Sequence, residues 1–95
     1  MDNTKHMVIY NKTLTTLNTE YSQAVPMRTR KIMIQCRTSV AIRISNVIGK
    51  VATPTAPYQT IKSGDVYYDN DICIDGLIYL ASGTSGVIAE ITCWN

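Results

Sequence analysis

The stretch Lys31-Ile32-Met33-Ile34-Gln35-Cys36-Arg37, followed past Thr38-Ser39 by Val40-Ala41-Ile42-Arg43-Ile44-Ser45-Asn46, decides the fold class. In the first run Ile32, Ile34 and Cys36 point one way, while Lys31, Gln35 and Arg37 point the other. In the second, Val40, Ile42 and Ile44 alternate with Ala41, Arg43 and Ser45. Side chains of an extended chain alternate between two faces, so a period of two marks a strand with one buried and one exposed side. Val87–Trp94 repeats the pattern, placing Val87, Ala89, Ile91 and Cys93 on one side. β-Branched residues and six tyrosines are abundant, and no segment sustains the 3.6-residue period of an amphipathic helix.

Working outward, strands are predicted at about 7–16, 21–25, 30–37, 40–46, 58–62, 65–69, 71–75, 77–82 and 87–94. Thr38-Ser39 is short enough for a tight turn between two strands. Ser63-Gly64-Asp65 and Asp75-Gly76 are turn signals, because glycine adopts positive φ without a steric penalty. Ser82-Gly83-Thr84-Ser85-Gly86 reads as a hairpin loop. Gly49–Pro57 is the longest irregular stretch, and Pro54 and Pro57 exclude a central strand there. About eight short strands with no helix to cover them must fold back on each other. The expected fold is all-β: a single compact antiparallel sandwich, jelly-roll-like, over residues 7–95. His6-Met7 is what a common cloning junction encodes, so residues 1–6 are either a vector-derived remnant or a natural N-terminal arm.

A chain of 95 residues holds one modest core. Its 45% hydrophobic and 17% charged composition argues against disorder. No apolar run reaches the roughly 20 residues that span a bilayer, so no membrane partner is expected, and Met1–Tyr10 lacks the apolar core of a signal peptide. The net charge of +2 conceals an asymmetry. Residues 1–50 hold eight Lys/Arg against Asp2 and Glu20, a balance of +6. Residues 51–95 hold Lys62 against Asp65, Asp69, Asp71, Asp75 and Glu90, a balance of −4. Neighbouring strands of opposite charge could pair across a sheet, or the bipolar surface could favour head-to-tail or side-by-side self-association.

The search for chemistry is mostly negative. Cys36, Cys73 and Cys93 form no CxxC, and His6 is the sole histidine, so no zinc pattern exists. Alternation puts Cys36 and Cys93 in the core as free thiols of a reducing compartment, with a Cys36–Cys93 disulfide as the alternative, and it leaves Cys73 facing solvent. Nucleophilic catalysis needs a base, and a lone histidine near the chain end supplies a poor one. No glycine-rich loop opens a helix to hold phosphate. The expectation is therefore no enzyme and no cofactor. Asp69-Asn70-Asp71 with Asp75 offers alternating oxygen ligands that suit Ca²⁺, although the Gly and distal Glu of an EF-hand loop are missing. The same carboxylates could be glycosidase acids, but a small sandwich without an evident cleft argues against it. Arg28, Arg30, Lys31, Arg37 and Arg43 form a basic set that could bind single-stranded nucleic acid, yet the tyrosines do not cluster with them. A carbohydrate-binding module, using exposed Tyr or Trp on one face, is a further alternative.

Several segments, in order and without large gaps over residues 8–95, resemble small structural proteins of tailed-bacteriophage virions. They are Glu20-Tyr21-Ser22-Gln23-Ala24-Val25-Pro26, Arg30–Arg37, Gly49-Lys50-Val51-Ala52, Tyr58-Gln59-Thr60-Ile61-Lys62-Ser63-Gly64, Leu77-Ile78-Tyr79-Leu80-Ala81-Ser82, and Ala89-Glu90-Ile91 with Trp94. The resemblance implies a compact sandwich, often trimeric, that decorates the capsid or joins the tail. It implies as partners a second copy of the chain and the major capsid protein or another virion protein, with assembly in the bacterial cytosol. Lys50, Tyr58, Arg28 and Arg30 are the docking residues chosen on this reading.

Overall fold

The computed structural model describes residues 7–69 and 74–94, with the side chains of Met27, Arg28, Ile74 and Asp75 outside the description. Eight strands make up the fold: β1 Met7–Leu14, β2 Tyr21–Thr29, β3 Lys31–Cys36, β4 Ile42–Ser45, β5 Gln59–Ile61, β6 Val66–Asp69, β7 Ile74–Ser82 and β8 Val87–Trp94. They form two four-stranded antiparallel sheets, ordered β1-β8-β3-β6 (sheet I) and β2-β7-β4-β5 (sheet II). The expected all-β sandwich is the observed architecture.

The pairing is nested. β4 pairs with β5, β3 with β6, β2 with β7 and β1 with β8, so the chain is one long antiparallel hairpin. Rolling that hairpin brings β3 against β8 and β4 against β7. Every link except β4–β5 therefore crosses from one sheet to the other, which is the jelly-roll topology. Two sequence expectations are corrected by it. The Thr38-Ser39 link and the Ser82–Gly86 loop do not close hairpins, because β3 and β4, and likewise β7 and β8, lie in opposite sheets.

A third correction concerns Asp75-Gly76. Gly76 takes φ +99°, as a turn glycine would, but it lies inside β7 opposite Val25. There the β2–β7 register shifts between Val25 and Thr29, so the glycine accommodates an irregularity in the ladder rather than a reversal. The separate strand expected at 71–75 thus merges with 77–82 from Ile74 onward, and residues 71–73 lie outside the described residues. β2 also runs past Val25 through Pro26 to Thr29. Proline is tolerated there because β2 is an edge strand.

The inward face of each strand follows the predicted alternation. Ile32 and Ile34 of β3, Ile42 and Ile44 of β4, and Val87, Ala89, Ile91 and Cys93 of β8 are buried, with Leu14, Val25, Ile61, Ile78 and Leu80 completing the cluster. Cys36 is only half-buried and packs at the margin of that cluster, because β3 ends there and the chain turns away. Cys36 and Cys93 are free thiols. In the β3–β8 ladder Cys36 faces Ala89 while Cys93 faces Ile32, which separates them along the strands and excludes the alternative disulfide.

Ile42 is fully buried, so Ile42→Ala should destabilise the fold by about 2–5 kcal/mol in denaturant melts, through lost transfer energy and the cavity left behind. Arg43, on the opposite face of the same strand, should cost about 1–3 kcal/mol on truncation to alanine, because it hydrogen-bonds two loop carbonyls. A reversed ranking would place β4 in the wrong register.

Candidate functional site

The outer face of sheet I is the feature that the fold leaves unexplained. Register places its outward side chains in rows across the strands. Met7, Trp94 and Lys31 form the first row. Ile9, Thr92, Met33 and Tyr68 form the second, and Asn11, Glu90, Gln35 and Val66 the third. Met7, Ile9, Tyr68 and Val66 are 55%, 56%, 53% and 47% exposed. Thr92 also points outward yet is only 8% exposed, because its cross-strand neighbours Ile9 and Met33 flank it. A sheet face turned to water ordinarily reads polar on its outward positions. Here the second row is apolar or aromatic apart from the buried threonine.

Charge on this face is gathered to one end. Arg37 Nε donates to Glu90 Oε2 at 2.9 Å, and Gln35 Nε2 donates to Glu90 Oε1 at 3.0 Å. The Arg37 hydrogen bond, followed by that of Gln35, holds the Glu90 carboxyl below the usual carboxylate range. This is a cross-strand pair of opposite charge of the kind the half-chain asymmetry allowed. The rows beyond it contain one further charged residue on β1, β8, β3 and β6, Lys31.

Sheet II differs. The link between β4 and β5, residues 46–58, reaches over part of its outer face at Val51 and Ala52. Arg43, pointing outward from β4, donates from Nε to Val51 O at 2.7 Å and from a terminal nitrogen to Ala52 O at 3.4 Å and Asn18 Oδ1 at 3.0 Å. Glu20 accepts from Gly49 N through both carboxylate oxygens, at 3.0 and 3.1 Å. Val51 and the outward Ala81 of β7 are consequently fully buried. The loop covers sheet II around Arg43 and Ala81 and leaves Ala24 and Leu77 exposed, while among the described residues no such loop lies on sheet I.

A cleft of about 490 Å³ opens between the sheets, in the half that ends in β5 and β6. Ile32, Ile34, Ile44 and Ile78 form its floor, and Tyr58, Tyr67, Gln59 and Asn46 are among its other walls. Burial, and then the neighbouring Asp69 carboxylate with which it hydrogen-bonds, push the Tyr67 phenol up. Ser45 Oγ donates to the carbonyl of Pro57 at 2.7 Å and accepts from Val47 N at 3.0 Å, so the hydroxyl is committed to shaping the loop. Pro57 follows a cis peptide bond. Among the described residues, the cleft lining contains no cysteine, histidine or lysine.

The residues chosen from sequence lie at separate places. Tyr58 is 40% exposed at the cleft. Lys50 is half-buried between Gly49 and Val51, which Glu20 and Arg43 anchor. Arg30 is exposed and its amide donates to Trp94 O at 2.7 Å. Arg28 belongs to β2, and its side chain lies outside the description. The basic set is likewise dispersed. Lys31 and Arg37 fall at opposite ends of β3, and Arg43 is on the other sheet. Among the described residues no group of three or more His, Cys, Asp or Glu could hold a metal, and the calcium candidates Asp71 and the Asp75 carboxylate fall outside them. Also among the described residues, no helix is long and apolar enough to cross a membrane. Sequence reasoning missed Ile9, Met33, Tyr68 and Trp94 as one surface. Its trace was the apolar residue at an outward position of a clean strand, Met33 between Ile32 and Ile34.

Comparison with protein-family models, with curated proteins and with solved structures finds no match to this chain.

Two measurements check this geometry. A carboxylate whose folded pKa is depressed stabilises the fold above its unfolded pKa and loses that contribution as pH falls through the folded value. The melting-temperature gap between wild type and Glu90→Gln should therefore be present at pH 7 and shrink below about pH 4. Burial raises the Cys93 thiol, so in a Cys73→Ser background Cys36 should react with a thiol reagent well before Cys93. Equal rates would contradict the placement of Cys93 in the core.

Proposed function

We propose that this chain is a non-enzymatic structural component of a bacteriophage virion: a capsid decoration protein that acts as a symmetric oligomer of three copies. The observation that carries the reading is the set of exposed apolar side chains on the outer face of sheet I, Met7, Ile9, Val66 and Tyr68, beside a sheet II that its own loop covers in part. A contiguous apolar surface on a small domain marks an interaction site. Aromatic residues and methionine are enriched at protein interfaces, and this face offers Met7, Met33, Tyr68 and Trp94. The docking partner on this reading is an apolar surface of the major capsid protein, engaged around Ile9, Met33 and Tyr68.

Three further considerations support it. Jelly rolls recur in viral capsid domains, an argument by fold analogy alone. Segments throughout the chain resemble small virion proteins. Symmetry would multiply individually weak contacts by avidity, which suits a decorating subunit. A tail or head–tail accessory role uses the same surface. Jelly rolls also serve as lectin domains, and the cleft beside Tyr58, Tyr67, Asn46 and Gln59 favours glycan binding as the second reading.

The test incubates the purified protein with particles that lack it and follows co-sedimentation. Wild type should attach, and Met33→Lys should weaken attachment by at least about tenfold, since it buries an unpaired charge at the interface. Its melting temperature should stay close to that of the wild type. Failure to sediment with any particle, together with saturable glycan or single-stranded DNA binding at physiological salt, would replace this reading by one of the other two.

A further inference from the structure

We infer that the subunits associate head to tail through the two edges of sheet I, β1 of one copy adding to β6 of the next. The inference names the self-contact of the oligomer proposed above and rests on that reading for its biological setting only. Its basis is a comparison of the sandwich's four edge strands. An edge strand presents unpaired backbone donors and acceptors, and proteins blunt such edges with shortness, proline or bulges. In sheet II both edges are blunted. β5 is three residues long, and β2 contains Pro26 and the register shift between Val25 and Thr29. In sheet I, β1 is eight residues long, has no proline, and pairs with β8 without a register shift from Met7↔Trp94 to Leu14↔Val87. The opposite edge, β6, offers four residues without proline.

The two edges fit each other in direction, charge and side-chain pattern. β1, β8, β3 and β6 alternate in direction, so β6 runs opposite to β1. A second copy set beside the first without inversion therefore presents its β1 antiparallel to β6. β1 has one charged residue, Lys12, half-buried on the inward face opposite Ala89. The β6 edge is acidic at both ends: Asp65 is exposed in the turn before the strand, and Asp69, which hydrogen-bonds Tyr67, closes it. Lys62 sits across that turn, its carbonyl accepting from Asp65 N at 2.9 Å. The antiparallel register that sets Lys12 across from Asp65 also sets Tyr10 across from Tyr67 and Ile9 across from Tyr68. Inward residues meet inward ones and outward meet outward, as a continuous sheet requires. The row Ile9–Thr92–Met33–Tyr68 then continues from one subunit into the next, enlarging the apolar face. A heterologous contact of this kind closes into a ring when its rotation permits.

Sedimentation equilibrium on the full chain tests the pairing. Wild type should associate, while Asp65→Lys and Lys12→Glu should each weaken association by at least about tenfold, since each sets like charges opposite one another. The double variant Lys12→Glu/Asp65→Lys should recover it. Circular dichroism melts verify folding, and Asp65, in an exposed turn, serves if Lys12→Glu disturbs the core. In a background lacking Cys36 and Cys73, oxidised Asn11→Cys/Val66→Cys should cross-link into a ladder ending at the ring size, and neither single variant should. Covalent dimers from Asn11→Cys alone would mean a twofold β1–β1 contact and overturn the inference. So would charge-reversed singles that associate as wild type does, or a wild type that stays monomeric. A monomer that still sediments with particles would sink the edge pairing and leave the virion reading standing. An edge-paired oligomer that attaches to no particle would do the reverse.

Discussion

The core of this protein is one layer of side chains, and everything else follows from how thin that layer is. Leu14, Ile34, Ile42, Leu80 and Ile91 are each at most 1% exposed, and they come from five strands that share the space between two sheets. In so small a domain no second layer exists to absorb an error of register. Moving any strand by one residue would turn its isoleucines to water and its charges inward. That single constraint fixes which face of every strand is outward, and so decides what the protein can show to anything else.

The outward residues then meet two different fates. The innermost pair of the nested hairpin, β4 with β5, is closed by residues 46–58. That link is longer than a tight turn, and it lies back over its own sheet. Arg43 and Glu20, both from outside the link, hold it there through backbone carbonyls and an amide. The segment that closes the fold's hairpin thus also covers the part of sheet II around Arg43 and Ala81. Among the described residues no link lies over sheet I in this way. The difference between a partly covered face and one without a covering loop is a by-product of where the long link falls in the sequence.

Much of this was legible before any coordinates. Alternation alone identified Ile32, Ile34, Ile42, Ile44, Val87, Ala89, Ile91 and Cys93 as inward, because period two is a local property of an extended chain. Sheet membership was not legible. A short link such as Thr38-Ser39 has the same composition whether it closes a hairpin or carries the chain across to the other sheet. Gly76 shows the same ambiguity at one residue: positive φ serves a turn and a ladder irregularity equally well. The choice is made by pairings such as Met7 with Trp94, whose partners are almost the whole chain apart. The bare face was hidden for the same reason. Ile9, Met33 and Tyr68 are unremarkable one at a time, and only the long-range order β1-β8-β3-β6 aligns them in a row.

Strand β1 joins these arguments. With β8 it forms the outermost pair of the nested hairpin. Its inward residues Leu14 and Tyr10 help close the core, and its outward residues Met7 and Ile9 border the bare face. Its free edge is the longest regular one in the sandwich. A monomer built for solitude would protect such an edge, as β2 and β5 are protected here. Sheet II has two blunted edges and a partly covered face; among the described residues sheet I has a long open edge and a face without a covering loop. Among the described residues, the longest edge without proline or register shift and the exposed row of Ile9 and Tyr68 therefore lie on the same sheet. Two weak features distributed over different sides of a molecule would be two accidents of a small fold. Concentrated on one sheet, with the opposite edge carrying complementary charge, they are the features on which the proposed head-to-tail addition of copies rests.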